Sequence, residues 1–202
     1  MDPARLTGIS ESLAPPIPWL RQLGLDDIER GRFNLVAITQ LGLPADLSQS
    51  FLDQLAVALP KVSDPDLALN TLQMFVAASR SPLSLVAMIE RDPEALADLL
   101  QLFAASQYLG DILVGDPEAF DLLRLTDGQP VARDSLVDEI HGAVEWMTDF
   151  RDVAACLRRY QRRETLRIAY GDIIRQQRIE VVTRQISYLA DAICEAALRM
   201  AR

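Results

Sequence analysis

Leu157-Arg158-Arg159-Tyr160-Gln161-Arg162-Arg163-Glu164-Thr165-Leu166-Arg167-Ile168-Ala169 is a run of arginines inside a strongly helical segment of an otherwise acidic chain. The helical repeat sets Arg158 beside Arg162 and Arg159 beside Arg163, and like charges four apart repel by about a few tenths of a kcal/mol. A free helix gains nothing from that arrangement. Something anionic must sit over the paired arginines: acidic side chains elsewhere in the fold, a phosphate ligand, or a partner surface. Along the same segment Val153, Leu157, Tyr160, Glu164 and Ile168 form the inward stripe, so a carboxylate occupies a core position. A buried carboxylate must be paired; Arg167, three residues on, or an arginine of another helix is the expected partner.

Outward from this segment almost everything reads as helix. A helix from about Arg133 to Thr148 precedes the arginine helix, which should run from about Asp149 to Gln176, and a last one follows from about Glu180 to Met200. In the last, Val182, Ile186, Leu189, Ile193, Ala197 and Met200 make one apolar stripe at helical spacing. Upstream, a proline-rich lead, Pro15-Pro16-Ile17-Pro18-Trp19, is expected to be non-helical with Trp19 packed as an anchor. A first helix should run from Leu25-Asp26 to Gly42-Leu43-Pro44, and another from Ser48 to Leu59. Asp64-Pro65, Ser81-Pro82, Asp92-Pro93 and Asp116-Pro117 each place a capping side chain before a proline suited to the first helical position. Asp92-Pro93-Glu94-Ala95 and Asp116-Pro117-Glu118-Ala119 hint at a degenerate stacked unit.

No strict alternation marks a strand, so the fold class is all-α: a compact array of short helices followed by two or three longer packed ones. The domain reading is a multi-helix lobe over 1–125 and a long-helix lobe over 131–202, joined by a flexible turn at Thr126-Asp127-Gly128-Gln129-Pro130, or one continuous domain.

Charge is unevenly distributed. From Arg151 onward there are 11 arginines against 6 acids, while the net charge of the whole chain is −9. The acidic bulk argues against nucleic acid as a partner, since neutralising phosphates needs a basic face with little acid around it. No apolar stretch reaches the roughly 20 residues of a membrane span, and the N-terminus lacks a signal-peptide pattern, so a cytoplasmic location is expected. Cys156 and Cys194 read as buried, reduced thiols on helices. His141 is the single histidine and reads as a surface or half-buried residue. Asp64-Pro65-Asp66 superficially resembles a metal-binding Asp-x-Asp pair, but at a helix start it reads as capping.

Three blocks carry a family resemblance. Ser106-Gln107-Tyr108-Leu109-Gly110-Asp111-Ile112-Leu113 continues through Asp116-Pro117-Glu118 to Asp121-Leu122-Leu123. The arginine run Leu157 to Ala169 leads to Asp172-Ile173. Leu189-Ala190-Asp191 and Glu195-Ala196-Ala197-Leu198 close the series. In this order, over about residues 83 to 200, the blocks resemble the N-terminal helical part of the bifunctional glutamine synthetase adenylyltransferase and adenylyl-removing enzyme.

The resemblance implies a parent protein that transfers AMP from ATP to a tyrosine of glutamine synthetase and removes it by phosphorolysis. Control by glutamine and the PII protein follows by analogy. In that family a nucleotidyltransferase core follows the last helix; its Gly-Ser turn and Asp-x-Asp strand hold the triphosphate and two magnesium ions. This sequence has no Gly-Ser dipeptide, and its only Asp-x-Asp is the capping pair. No catalytic residue carries over, and no cofactor is expected in the chain itself, ATP and magnesium being implied for the parent.

The resemblance therefore implies a non-catalytic helical segment whose partner is the nucleotidyltransferase core, downstream or in trans, with glutamine synthetase and the PII protein as further partners. Arg158, Arg159, Arg162, Arg163, Glu164 and Arg167 are the candidates for contact with that core or its anion. The alternative is a stand-alone helical interaction module; a Gly-Ser turn and an Asp-x-Asp strand encoded after Arg202 would separate the two.

Overall fold

The computed structural model describes residues 17–200 and is all-α, with no strand among them. The chain divides into two compact units, 1–117 and 118–202.

The first unit contains α1 (Ile17–Gln22), α2 (Ile28–Thr39), α3 (Ala45–Ala58), a 3₁₀ turn (Leu59–Lys61), α4 (Pro65–Ala78), α5 (Pro82–Arg91), α6 (Pro93–Ala105) and α7 (Gln107–Gly115). At its centre is α4, which packs against α2, α5, α6 and α7 and buries Leu69, Leu72, Phe75 and Val76. The rings of Phe75 and Phe103 meet edge to face, centroids 5.6 Å apart, an arrangement that suits the opposite charge of ring face and edge.

Three of the four expected caps form: Asp64 accepts from the Leu67 N–H at 2.9 Å, Ser81 from Ser84 at 3.3 Å and Asp92 from Glu94 at 3.1 Å. Asp66, the other half of the Asp-x-Asp pair, accepts the backbone N–H groups of Asp26 and Asp27 at 2.8 and 3.0 Å and so secures the entry to α2.

Three expectations need correction here. The segment from Ile17 is helical, because Pro18 sits in the first turn, where a missing N–H breaks no helical bond. Leu20 and Leu23, both fully buried, anchor that helix, whereas Trp19 is half-buried; Pro15 and Pro16 lie outside the described residues. Asp116 does not start a helix. Its N–H closes α7 onto the carbonyls of Ile112 and Leu113, and the next helix begins only at Ala119, so the two Asp-Pro-Glu-Ala copies are not structurally equivalent.

The second unit contains α8 (Ala119–Thr126), α9 (Arg133–Val144), α10 (Phe150–Ile173) and α11 (Ile179–Met200). Asp149 caps α10 by accepting from the Arg151 N–H at 2.6 Å. Short loops join α9 to α10 and α10 to α11, and all three helices pack on one another. Their core holds Leu136, Ile140, Val144, Val153, Tyr160, Ile168, Val182, Leu189, Ala192 and Ala196.

On α11 the buried stripe is Val182, Gln185, Leu189, Ala192 and Ala196, rotated from the expected one; Ile186 and Ala197 are exposed. The small alanines let α11 approach α9 closely, and Gln185 can be buried because both ends of its amide are bonded. Cys156 is buried as expected, whereas Cys194 is exposed.

Candidate functional site

The arginine helix, α10, has an inner and an outer set of guanidinium groups. Glu164 is 4 % exposed. Its Oε2 accepts from Arg167 Nε at 2.7 Å, the pairing expected from the sequence, and its Oε1 accepts from Arg163 Nε at 3.1 Å and Nη2 at 3.0 Å. Two cations therefore share one buried carboxylate, which is how an ionised group becomes tolerable inside a core.

Arg163 Nη2 also donates to Glu139 Oε1 at 2.7 Å, and its guanidinium lies over the Tyr160 ring, 4.9 Å from the centroid. Burial works against the charge on Arg163, but the bonds to Glu139 and Glu164 prevail and hold it above its ordinary value. Tyr160 donates to the Leu136 carbonyl at 3.0 Å. Burial, reinforced by the negative charges of Glu164 and Glu139, raises its phenol well above the ordinary tyrosine value.

Arg167 carries the network to the turn before α9. Nη1 donates to the Gln129 carbonyl at 2.6 Å and Nη2 to Gln185 Oε1 at 2.9 Å. The Gln185 amide clasps the Val131 backbone in both directions, accepting from its N–H at 2.9 Å and donating to its carbonyl at 2.8 Å. Arg175 Nε donates to Asp127 Oδ1 at 2.6 Å, and Gln177 donates to the Gly128 carbonyl at 2.8 Å.

The turn expected to be flexible is thus held at Asp127, Gly128 and Gln129, and Val131 directly after it is held as well. Gly128 has φ +63°, and a Cβ there would lie 2.5 Å from the Gly171 nitrogen. Only glycine suits that position. The exit of α10 is shaped by the same contact: the chain turns at Gln176, φ 49°, as the Gln177 N–H closes on the Gly171 carbonyl at 3.0 Å, so the helix stops short of Gln176.

The outer set differs in every respect. Arg158, Arg159 and Arg162 are exposed and make no hydrogen bond or ion pair among the described residues. At 100° per residue, exposed Arg151, Arg158 and Arg162 fall on one line of α10, opposite the buried Tyr160 and Glu164, with Arg159 beside them. The structure therefore separates the six candidates: Arg163, Glu164 and Arg167 form one network, and Arg158, Arg159 and Arg162 form a ridge facing water. Planar guanidinium groups with free donors are suited to bidentate contact with carboxylate or phosphate.

Sequence reasoning missed Gln185, Glu139 and the Gly128–Gly171 approach. The first had a signal. Val182, Gln185, Leu189, Ala192 and Ala196 keep a regular three-four spacing, so a polar residue within that series is an inward position needing partners. Glu139 and Gly171 carry no local signal, because their roles depend on helices brought together only by the fold.

Residues 96–202 match the family model described as glutamate-ammonia ligase adenylyltransferase. The chain is similar to proteins named bifunctional glutamine synthetase adenylyltransferase/adenylyl-removing enzyme. With that of Xanthomonas axonopodis pv. citri it is 28 % identical over 193 residues, which is 91 % of this chain and 20 % of the relative. With that of Shewanella loihica it is 31 % identical over 107 residues, 52 % of this chain and 11 % of the relative. With that of Cutibacterium acnes it is 28 % identical over 182 residues, 89 % and 18 % respectively. The chain thus spans at most about a fifth of the length of these relatives. No solved structure matches it significantly.

Proposed function

Because the chain belongs to the glutamate-ammonia ligase adenylyltransferase family, we propose that it is the helical segment of a glutamine synthetase adenylyltransferase-like protein and is non-catalytic by itself. Its task is to present the outer ridge of α10 to the nucleotidyltransferase core or to the nucleotide held there. The observation that carries this reading is the division of the arginines. Arg163 and Arg167 are committed to Glu164, whereas Arg158, Arg159 and Arg162 stay in water despite mutual repulsion that α10 alone does not relieve.

For the assembled protein the reading implies AMP transfer from ATP to glutamine synthetase and phosphorolytic removal, with magnesium, in the cytoplasm; glutamine synthetase and the PII protein are its further partners. Among the described residues no three potential metal ligands gather, so they do not suit a magnesium–triphosphate site. The carboxylates of Asp64 and Asp66 are engaged by backbone N–H groups, so no step of nucleotidyl transfer is assigned to this chain. Its contribution is electrostatic and geometric: a rigid helix, clamped at its far end by the Gly128 turn, holds the ridge in fixed register.

The test is AMP incorporation into glutamine synthetase. The purified chain with ATP and magnesium should give none, and a nucleotidyltransferase core of the family should bind the chain through the ridge. Turnover by the chain alone would overturn the assignment, as would unchanged core binding after charge reversal of Arg158, Arg159 and Arg162.

A further inference from the structure

Beside the ridge, the second unit has an open groove between α10 and α11 of about 380 Å³. Its floor is Ile168, Val182 and Leu189, its α11 wall Ile186, Ala190 and Ile193, and its α10 wall includes Thr165 and Ala169; no lining residue comes from α9. It spans Gln161 to Asp172 on one helix and Val182 to Ile193 on the other, about three turns or roughly 16 Å on each. The isoleucines at 186 and 193 belong to the stripe that α11 leaves out of its buried seam, and Ile186 is 54 % exposed.

Helical register places the charge beside this apolar surface. Arg158 precedes Gln161 by three residues and Thr165 by seven, and Arg162 precedes Thr165 by three and Ala169 by seven. Arg158 and Arg162 therefore stand on the same side of α10 as its groove wall.

Resting on the reading of the ridge as a contact surface, we infer that the groove receives an amphipathic helix of a partner, apolar on one face and acidic along the flank that meets Arg158 and Arg162. The shape suits a helix: α10 and α11 pack on each other and on α9, and the open channel between them has the length and apolar lining that a fourth helix of a bundle would cover. The charge calls for an acidic flank at the Gln161 end of the groove, where Arg158 and Arg162 stand exposed with free donors, whereas exposed Asp172 puts a single carboxylate at the opposite end of the α10 wall.

The probes are two synthetic helical peptides of about four turns with the same leucine face, one flanked by glutamates and the other by lysines, titrated calorimetrically into the full chain. The glutamate peptide should bind and the lysine peptide should bind at least tenfold more weakly. Ile186→Glu, at a position exposed enough to spare the fold, should weaken the glutamate peptide at least tenfold, and R158E/R162E should reverse the preference; melting curves confirm that both variants fold. Equal binding of the two peptides, or no binding, overturns the inference.

If R158E/R162E abolishes binding to a nucleotidyltransferase core while Ile186→Glu leaves it unchanged, the groove is wrong and the ridge survives. A self-association of the chain that Ile186→Glu disperses would assign the groove to a second copy. Binding to vesicles of equal parts phosphatidylserine and phosphatidylcholine in preference to the glutamate peptide would assign it to a lipid surface. Either result overturns the partner helix.

Discussion

Replacing Glu164 by alanine tests whether the inner network holds the second unit together. The side chain is 4 % exposed and accepts three hydrogen bonds from two guanidinium groups. Arg163 keeps its 2.7 Å bond to Glu139 and is partly open to solvent, so the loss falls mainly on Arg167, whose side chain is 6 % exposed and whose Nε would face a void. Breaking a buried pair by removing one partner costs about 3–5 kcal/mol. The two bonds Arg167 keeps, to Gln129 and Gln185, place this case at the lower end, about 3 kcal/mol.

At about 2–4 °C per kcal/mol for a chain of this size, the melting temperature should fall by about 6–12 °C. Circular dichroism against temperature and urea reads the change. The double variant E164L/R167M removes both charges and should lose less than the sum of the two single variants. A Glu164→Ala change below about 0.5 kcal/mol, or strict additivity in the double variant, would refute the view that this carboxylate organises the arginines.

Gly128→Ala should destabilise by more than about 2 kcal/mol, the left-handed backbone costing about 1–2 and the contact with Gly171 adding to it; a denaturation midpoint unmoved by the change would contradict the clamped turn. Tyr160 provides a pH dependence. Its folded phenol is raised above the ordinary value of 10.0, so above about pH 10 the unfolded state binds fewer protons than the folded state and stability falls as pH rises. That contribution is fully present below about pH 10, and its loss should be absent in Y160F. Urea midpoints compared across about pH 9–11 check it; parallel curves for the two proteins would contradict it.

Much of the fold was legible because its signals are local. Asp64, Ser81 and Asp92 cap the helices that follow them, as their positions before proline predict. The Glu164–Arg167 pair follows from a carboxylate on an apolar stripe with a cation one turn away. Illegible features depend on what a segment meets.

Asp116 has the sequence of a cap, and its N–H closes the preceding helix just as that of Asp92 does, but only Asp92 has a helix directly after it; the one after Asp116 begins at Ala119. The Thr126 to Pro130 turn has flexible composition, yet Arg167 of α10 and Arg175 and Gln177 of the loop after it converge on it, and Gln185 of α11 holds Val131 just beyond it. On α11 two apolar stripes lie side by side, and hydropathy alone does not tell which one seals the core. The packing of α9 selects the one with alanines and leaves the isoleucines for the groove.

The most direct test of the divided arginine helix is one variant, R158E/R159E/R162E, measured twice. Its melting temperature should fall by no more than about 6 °C, since each of the three exposed charges, away from any partner, changes stability by less than about 0.5 kcal/mol. Its binding to a nucleotidyltransferase core of the family, by calorimetry, should be lost. A large fall in melting temperature with core binding intact would show that the outer guanidinium groups serve the fold, and would contradict the account.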